Sequence, residues 1–449
     1  MSTENHTPDT TASSNKQPDS FYDIVIIGGG LVGASLAVAL ENSDKSILVV
    51  EPVPLSSDQQ PSYDERTVAL TYSARQIYSA MDVWEDIRSK GAEPITNIHI
   101  SNRGHFGQVH LTNAHSGTEA LGYVVPTRVI GQSLWNRISQ AENVDVLCPG
   151  VAENIIQTDN LCQVEISKSD SESPDTPVFF STIKTKMVIL CDGGRSPLNT
   201  KVGLLPDSYD YPQSAVLSIV TADKKHGGRA YERFTPEGPL ALLPLGTTPE
   251  TPRGSGRYAV VWTTKTENLE HRMSLDDDNF LATLQDIFGD RAGVFSKPSL
   301  RKSYPLKKSS VKSPTNGRVL ALGNAAHTVH PVAGQGFNLG LRDVASLAEQ
   351  IFAADDQHLG SLSMIEQYIE SRARDTRMVE RFTHSLIEIF SNEYPGVSML
   401  RNIGLKAVEH CPPAKRFLLN RTMGLHKQKS RLSMGTGLGT PVNTRSTAN

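Results

Sequence analysis

Residues 23–51 read Asp-Ile-Val-Ile-Ile-Gly-Gly-Gly-Leu-Val-Gly-Ala-Ser-Leu-Ala-Val-Ala-Leu-Glu-Asn-Ser-Asp-Lys-Ser-Ile-Leu-Val-Val-Glu. The β-branched apolar run at 24–27 predicts a strand buried on both faces of a parallel sheet. Three glycines follow it at once in the spacing G-x-G-x-x-G. In this pattern Gly28 allows a tight turn, Gly30 lets the backbone approach a ligand closely, and Gly33 lets the next helix pack on the strand.

A second predicted strand, at residues 46–50, ends in Glu51. This acid follows the glycines by about twenty residues, where a carboxylate accepts hydrogen bonds from ribose hydroxyl groups. Together these elements predict a dinucleotide site, and an acid at this position favours FAD or NAD over NADP. A glycine-rich turn without a ligand is one alternative. A membrane span at residues 24–40 is another, but three consecutive glycines argue against it.

The composition limits the function classes. The chain has 449 residues, a net charge of −4, 38% hydrophobic and 20% charged residues, which suit a globular protein of two or three domains or one domain with an insertion. The sequence has no basic stripe with interleaved aromatic residues, so nucleic-acid binding is not expected. The four cysteines form no C-x-x-C pair, which predicts reduced cytosolic thiols and no metal site. Residues 1–20 lack an apolar signal sequence, so we expect a cytoplasmic protein with disordered tails at 1–20 and 427–449.

One further acid lies at the end of a predicted strand. Residues 186–190 form a buried apolar run, and residues 191–196 then read Cys-Asp-Gly-Gly-Arg-Ser. Asp192 is therefore expected at the carboxyl end of a parallel strand, where open α/β sheets bind ligands. A turn or helix cap is the alternative role of this side chain.

A second glycine-rich loop follows the short apolar strand predicted at residues 319–322. Gly334 and Gly336 in this loop let backbone N–H groups approach a bound group closely. The helix predicted at residues 337–352 directs its positive end back at the same group. This stretch is thus expected to hold an anionic or electron-rich part of a ligand.

Between about residues 206 and 314 the pattern becomes strand-like. The predicted strands here are residues 214–222, 229–234, 239–245 and 258–264, and one helix is predicted at 275–288. Antiparallel strands inside an α/β chain indicate an inserted sheet domain. Residues 238–245 are apolar and uncharged, so they form either a core strand or the wall of an apolar substrate pocket.

The motifs occur in the order found in FAD-dependent aromatic hydroxylases (group A flavoprotein monooxygenases). G-x-G-x-x-G at 28–33, D-G-x-x-S at 192–196 and the Gly-Asn-Ala-Ala-His to Gly-Gln-Gly-x-Asn run at 323–338 resemble that family. The resemblance extends over residues 21–427. Three segments resemble its ubiquinone-biosynthesis branch: residues 122–125, 238–245 and 330–343.

This resemblance implies an α/β fold with a Rossmann-like FAD-binding domain, an inserted, mostly antiparallel β-sheet substrate domain and a helical C-terminus. The expected FAD-binding domain is discontinuous. The predicted boundaries are 21–94, 113–205 and 315–385 for the FAD-binding domain, 95–112 and 206–314 for the sheet domain, and 386–426 for the C-terminal helices.

The resemblance also implies where FAD binds. Arg66 matches the arginine of a D-x-R-x-x-A-L segment beside the flavin, and Arg128 matches a flavin-contacting position behind Thr127, a reasonable N-cap. An ion-paired surface arginine and an ordinary exposed helix residue are the alternatives. The residues expected to bind FAD are Gly28, Gly30, Gly33, Glu51, Arg66, Arg128, Asp192, Gly193, Asn324, Gly334, Gln335, Gly336 and Asn338.

In the family, reduced flavin and O2 give a flavin-4a-hydroperoxide whose distal oxygen is transferred to an electron-rich phenol. NAD(P)H visits transiently as reductant, in agreement with the lack of a second G-x-G-x-x-G here. Pro331 is expected on the oxygen-transfer side. His327 and His330 are the titratable side chains of the stretch, so either could deprotonate the phenol. A hydrogen-bonded structural histidine is the alternative.

Asn324 distinguishes this chain within the family, because most members have aspartate after the equivalent of Gly323. The hydroxylases of 2-polyprenyl-6-methoxyphenol resemble this chain in having asparagine. The resemblance implies that a polyprenyl-phenol and O2 are converted to a 1,4-benzoquinol, with a ubiquinone-biosynthesis complex as possible partner. The basic, partly apolar helices predicted at 394–424 suggest peripheral contact with the inner face of the cell membrane, and ordinary packed helices are the alternative.

Three other functions fit the same motifs. A sibling hydroxylase would act at another ring carbon, a same-fold FAD reductase would act on isoprenoids, and a non-catalytic flavin-binding subunit would bind FAD without turnover. A flavin-dependent halogenase is disfavoured because the tryptophans Trp84, Trp135 and Trp262 are isolated and form no W-x-W-x-I-P run.

Overall fold

The computed structural model describes residues 20–54, 66–169, 177–329, 334–390, 395–425 and 430–439. Within these ranges the chain forms twenty strands and eleven α-helices. The strands are β1 (Phe21–Ile27), β2 (Ile47–Val50), β3 (Thr67–Thr71), β4 (Glu93–Ile95), β5 (Asn97–Asn102), β6 (Gln108–Thr112), β7 (Gly122–Pro126), β8 (Val144–Leu147), β9 (Val151–Gln157), β10 (Cys162–Ser169), β11 (Pro177–Leu190), β12 (Pro206–Ala222), β13 (Arg229–Thr235), β14 (Gly238–Leu245), β15 (Gly256–Lys265), β16 (Phe295–Ser296), β17 (Lys302–Val311), β18 (Thr315–Asn316), β19 (Val319–Ala321) and β20 (His327–Thr328). The helices are α1 (Leu31–Ala39), α2 (Tyr72–Ala80), α3 (Trp84–Ser89), α4 (Thr127–Ile138), α5 (Leu198–Lys201), α6 (Thr266–Ser274), α7 (Asp277–Phe288), α8 (Gln335–Ala353), α9 (Leu362–Phe390), α10 (Pro395–His410) and α11 (Pro412–Thr422).

The first sheet is built around β1. Strands β19, β11, β1, β2 and β8 lie side by side in that order and run parallel. Ile24 and Ile26 of β1 pack into the core on one face, and Val25 and Ile27 pack into the core on the other. The strand is therefore buried on both faces, as its β-branched run predicts.

Helices cover one face of this sheet. Apolar residues of α1, α2, α4 and α8 form one continuous core with the sheet, including Leu36, Ile77, Leu134 and Leu347. The opposite core contains residues of β9, β10 and the short helix α5. The run at 24–40 thus forms a strand, a turn and a helix, and it is not a membrane span.

Two glycines of the G-x-G-x-x-G motif have no room for a side chain. A Cβ on Gly33 would lie 1.9 Å from the carbonyl oxygen of Gly28, because α1 packs directly on the turn that leaves β1. Gly28 itself has a φ of +101°, and a Cβ there would lie 2.7 Å from the backbone of Cys191. The spacing therefore reflects steric need at both positions.

The second sheet has nine strands in the described ranges and contains β5, β6, β12–β17 and β20. All of its pairings are antiparallel except that of β13 with β5. On one face, Phe280 and Phe288 of α7 pack with Trp262 of β15. A third sheet, in which β7 pairs with β3 and with β4, was not predicted. Along the sequence its strands lie between strands that belong to the two larger sheets.

The C-terminal helices α10 and α11 pack against the second sheet. The Asn402 side-chain oxygen accepts a hydrogen bond of 3.2 Å from the backbone N–H of Gly107, between β5 and β6. Residues 430–439 also pack on the protein, and Leu432 is buried in the main core, so the predicted disordered tail does not extend over them. The packing of Leu432 in the core outweighs the tendency of this polar segment to be disordered. Among the described helices, none has the length and apolar character needed to cross a bilayer.

The architecture confirms the predicted fold class. A Rossmann-like parallel sheet with helices is combined with a mostly antiparallel sheet and a helical C-terminal region. The proposed division into domains stays a prediction, but the strands of the second sheet come from residues 97–112, 206–311 and 327–328.

We expect Gly33→Ala to lower the free energy of unfolding of the FAD-free protein by about 3 kcal/mol or more, since the added methyl group meets backbone and cannot be accommodated by a side-chain rotation. Urea unfolding measures this. The control is Gly404→Ala in α10, where an added Cβ meets no atom within 4 Å. Gly404→Ala is expected to be neutral or to stabilise by up to about 1 kcal/mol. Equal stability of the two variants would contradict the packing argument.

Candidate cofactor and substrate site

The predicted ligand-binding segments meet along one edge of the parallel sheet. Ile27 of β1 is in register with Val50 of β2 and Leu190 of β11, and Leu190 is in register with Ala321 of β19. The chain therefore leaves four neighbouring strands at the same edge. The segments that follow carry Gly28, Glu51, Asp192 and Asn324, in agreement with the rule that open α/β sheets bind ligands beyond the carboxyl ends of their strands.

The glycine loop leaves an open cradle at this edge. A Cβ built on Gly30 meets no described protein atom within 4 Å, in contrast to Gly28 and Gly33. Gly30 is also the N-cap of α1, which has no side-chain cap and no acidic residue in its first turn. First-turn N–H groups of a helix have no intrahelical acceptor and attract anions. This geometry fits a phosphate group over Gly30.

Glu51 is buried and supports the glycine loop. One of its carboxylate oxygens accepts a hydrogen bond of 2.6 Å from Gly29 N–H, and the other accepts one of 2.9 Å from Val53 N–H. A carboxylate has about four acceptor positions, so these bonds leave capacity for ribose hydroxyl groups. Glu51 thus positions the loop in addition to its predicted role.

Asp192 holds its own turn together. Its carboxylate accepts hydrogen bonds from Gly194 N–H at 2.9 Å and from the Ser196 hydroxyl. The turn lies against Gly28 on one side and against the loop of Asn324 on the other, since a Cβ on Gly194 would be 3.4 Å from the Asn324 carbonyl oxygen. Gly193, Gly194 and Asn324 are exposed. The turn-cap alternative is correct for the Asp192 side chain, and its contact with FAD stays a prediction.

Thr127, the residue before Arg128, holds the backbone of Arg66 in place. The backbone N–H and the hydroxyl of Thr127 both donate to the carbonyl oxygen of Arg66, at 2.8 and 3.1 Å. Thr127 is the first residue of α4 and Pro126 is the N-cap, so the prediction of a Thr127 cap was wrong: its hydroxyl donates to a neighbouring strand end instead. The Arg66 guanidinium lies 5.6 Å from the centre of the Tyr304 ring, and Arg128 is exposed.

The start of α8 is fixed by Asn338. This fully buried side chain donates to the carbonyl oxygens of Ala69 and Gly334, at 2.8 and 2.7 Å, and accepts from Thr71 N–H at 2.8 Å. It therefore joins the first turn of α8 to β3. Gly334 has the left-handed φ of +60°, and Gln335 is buried beneath the turn. The amide group of Asn338 is used within the protein, so any contact with the flavin falls to the backbone.

A cavity of about 420 Å³ opens beside this turn. Ala69 of β3, Asn324, Gly334 and Gly336 line one side of it. Apolar residues of β5, β13, β14 and β15 also line it, together with Phe382 of α9, Leu405 of α10 and Leu418 of α11. A largely apolar cavity of this size suits a small aromatic ligand.

Strand β14 serves both functions that the sequence left open. Pro239, Ala241 and Leu243 line the cavity. Leu240 and Leu242, on the opposite face, belong to the core under α7. Alternation along the strand therefore makes it a pocket wall on one face and a core strand on the other.

His327 belongs to a buried ionic network and does not line the cavity. Its Nε2 lies 2.7 Å from Asp343 Oδ2, and Arg372 Nε donates to the other oxygen of Asp343 at 2.6 Å. Burial alone would lower the pKa of His327, but the Asp343 carboxylate outweighs burial and raises it. Arg372 and His327 together hold the pKa of Asp343 below its ordinary value despite burial. A histidine held protonated in this way is a structural residue and a poor proton acceptor.

Two predicted catalytic residues, His330 and Pro331, lie outside the described residues. Glu232, by contrast, was missed, although it lines the cavity. Ala230, Glu232 and Phe234 alternate along a predicted strand and line the cavity. Glu232 is the one charged residue of these three, and this was the signal that the sequence offered.

We expect His327→Gln to lower the free energy of unfolding by about 1.5–3 kcal/mol at low pH, because it removes a buried charge-assisted hydrogen bond. Since the folded-state pKa of His327 is raised above 6.5, this contribution is complete below about pH 6.5 and is lost as the pH rises through the raised pKa. Urea unfolding across this range measures it. The control is His358→Gln, which breaks the exposed pair with Asp355 and should change little. A difference that is independent of pH would contradict the assignment.

The arrangement fits a dinucleotide with a flat ring at one end. Its phosphates would lie at Gly30, and the remainder would follow the sheet edge past Asp192 to the first turn of α8 beside the cavity. The open space over Gly30 is the observation that supports this fit.

Comparisons with known proteins agree with this fit. The family described as "FAD binding domain" matches residues 22–383. Ubiquinone hydroxylase UbiL of Rhodospirillum rubrum is 30% identical, over 96% of this chain and 97% of that protein. The 3-demethoxyubiquinol 3-hydroxylase of Escherichia coli is 27% identical, over 90% of this chain and 98% of that protein.

A solved structure shares the fold. It is p-nitrophenol 4-monooxygenase PnpA of Pseudomonas putida, with a TM-score of 0.72 and 18% identity, covering 91% of this chain and all of that one. The family match extends over most of the chain. It includes the segments that follow the four parallel strands and carry Gly28, Glu51, Asp192 and Asn324. FAD is therefore the cofactor of this protein. The chain belongs to the FAD binding domain family and is an FAD-dependent aromatic-ring monooxygenase.

Proposed function

We propose that this protein hydroxylates a polyprenylated phenol in ubiquinone biosynthesis, with 2-polyprenyl-6-methoxyphenol as substrate and the 1,4-benzoquinol as product. The main support is the apolar cavity that adjoins the first turn of α8. It offers space for an aromatic ring next to the end of the predicted FAD cradle. The names of the UbiL and Escherichia coli relatives support the pathway.

FAD is proposed to lie along the carboxyl edge of the parallel sheet. The backbone at Gly30 would hold the pyrophosphate, and Glu51 would accept from the adenosine ribose while it supports the glycine loop. Asp192, Gly193 and Asn324 border the middle of the cofactor. The uncapped first turn of α8 provides N–H groups and a positive dipole end at the flavin's pyrimidine ring, where the reduced cofactor carries negative charge.

Bound FAD, once reduced, supplies an activated oxygen atom from O2. The protein has to hold the phenol against the flavin and to exclude water. Ile98, Ile100, Ala241 and Leu243 provide apolar surface for this purpose. NAD(P)H is the proposed reductant. It would bind transiently, because the described chain has a single dinucleotide cradle and that cradle is assigned to FAD.

Asn324 supports the choice of ring position, since it matches the subgroup that acts on 2-polyprenyl-6-methoxyphenol. The Escherichia coli relative is named for hydroxylation at another carbon. A sibling activity at that carbon is therefore the second candidate, and analysis of accumulated intermediates distinguishes the two.

A membrane-facing surface is proposed at α10 and α11. Leu405 and Leu418 line the cavity, while their neighbours Ile403 and Phe417 are 46% and 66% exposed. Lys406 lies on the same helix as Ile403, and its ammonium group is 5.8 Å from the centre of the exposed Phe106 ring. Exposed apolar groups beside a basic residue suit contact with an anionic lipid surface. Such contact would let a prenylated substrate enter between the two helices.

We expect Gly30→Val to abolish FAD binding without unfolding the protein. A Cβ on Gly30 meets no described protein atom within 4 Å, so the added side chain should occupy the cradle and raise the FAD dissociation constant at least about 100-fold, or about 2.7 kcal/mol. Fluorescence titration of apoprotein with FAD measures the affinity, and urea unfolding checks the fold. Gly404→Ala should retain full affinity. Unchanged FAD binding by Gly30→Val would contradict the proposed cofactor position.

A strain that lacks this gene is expected to accumulate 2-polyprenyl-6-methoxyphenol and to lose ubiquinone. The intact gene should restore ubiquinone, whereas the Gly30→Val copy should not, and lipid extraction with mass spectrometry measures all three. Accumulation of a demethoxyubiquinol would support the sibling hydroxylase instead. An unchanged quinone profile in the deletion strain would contradict a place in this pathway.

A further inference from the structure

Glu232 has an unusual position for a glutamate. It lies in the middle of β13 and lines the apolar cavity. The residues directly opposite it on the neighbouring strands are Ala241 of β14 and Ile100 of β5, which also line the cavity. The carboxylate is therefore surrounded by apolar surface and faces the space where a ligand binds.

No partner neutralises this carboxylate. Within the described residues no hydrogen bond or ion pair reaches Glu232, and burial is the single cause of its shifted titration. Arg233 points to the opposite face of β13, where its Nε donates to the carbonyl oxygen of Ile287. Glu232 is partly buried, and an acid held against apolar surface without a partner has a cost to the folded state. Such a cost is commonly retained at functional sites.

The described lining of the cavity includes residues of β3, β5, β13, β14, β15 and α8. Among those residues Glu232 is the one acid or base, and Tyr231 is the other side chain that titrates. His327 is not among the residues that line the cavity, and it is hydrogen-bonded to Asp343. Burial raises the pKa of the Glu232 carboxyl to about 7. The group thus changes protonation near neutral pH.

We propose that Glu232 is a catalytic residue that accepts the proton of the substrate's phenolic hydroxyl group. This inference rests on the proposed function, because it assumes a phenol in the cavity. The O–H bond of the phenol breaks, the proton joins a Glu232 oxygen, and the electron pair stays on the phenolic oxygen. The ring thereby becomes more electron-rich at the carbon that receives the oxygen atom.

The proton balance closes after oxygen transfer. The hydrogen on the attacked carbon leaves as a proton and returns to the phenolic oxygen, which restores the aromatic ring as a diol. Glu232 then gives its proton to the second oxygen atom of O2, which would leave as water, and becomes a carboxylate again. A free phenol has a pKa near 10 and a free glutamate near 4.3, so a carboxyl raised toward neutrality is a much better matched acceptor than an exposed one.

The test uses the FAD-loaded enzyme, NADPH, O2 and a 2-methoxyphenol with a short prenyl chain at carbon 6. In the wild type, kcat should rise with pH through about 7, because Glu232 must be ionised to accept the proton. Glu232→Gln should lower kcat about 100-fold and lose this rise, with KM for the probe changed much less. Glu232→Asp should retain the pH dependence at a reduced rate. Glu165→Gln, on the distant strand β10, is the matched control and should behave as wild type.

A second measurement does not depend on turnover. Anaerobic binding of the probe to the oxidised enzyme should produce phenolate ultraviolet absorption above pH about 7 in the wild type and not in Glu232→Gln. Wild-type kcat and pH profile in Glu232→Gln would overturn this role while leaving the proposed function intact. If the wild type neither binds nor hydroxylates the probe, the proposed function fails and this role fails with it.

Discussion

The side chain of Asn338 fixes the geometry on which the site depends. Its hydrogen bonds to Ala69 and Thr71 join β3 to the first turn of α8 across more than 260 residues of sequence, and its third, to Gly334, holds the start of the helix. Both elements line the same cavity. A small rotation of α8 would have two effects at once. It would move the first-turn N–H groups away from the cofactor position, and it would change the shape of the cavity wall. A buried, fully satisfied amide resists such rotation because each broken bond leaves an unpaired polar group.

Local sterics explain what the sequence could predict. Gly28 and Gly33 are required because any side chain would meet backbone. Their spacing, together with the apolar run before them and the second strand that ends in Glu51, therefore predicts the strand, turn and helix of the parallel sheet. Asn338 and Glu232 could not be assigned in the same way. The role of Asn338 depends on a strand 267 residues away, and that of Glu232 depends on which face of β13 meets the cavity. Residues 430–439 were misjudged because composition does not reveal a complementary surface.

The protein buries charge in two different ways. His327, Asp343 and Arg372 neutralise one another through short hydrogen bonds, and the pKa of each moves in the direction that keeps it ionised. Breaking such a network is strongly destabilising. Glu232 has no such partner, and burial moves its pKa toward neutrality instead. The first arrangement stabilises α8 and α9, whereas the second keeps a carboxyl group ready to exchange a proton with a ligand.

The cavity also constrains how the proposed long-chain substrate would bind. A volume of about 420 Å³ is at the small end for drug-sized ligands, so it accommodates the ring and little of a polyprenyl tail. The remaining tail needs an apolar exit, and Leu405 and Leu418 border the cavity where exposed Ile403 and Phe417 continue outward. Burying each methylene of the tail in lipid is worth about 0.8 kcal/mol. Under the proposed function, the tail would gain most by staying in the membrane while the ring alone enters, and α10 and α11 would then have to lie at the lipid surface during turnover.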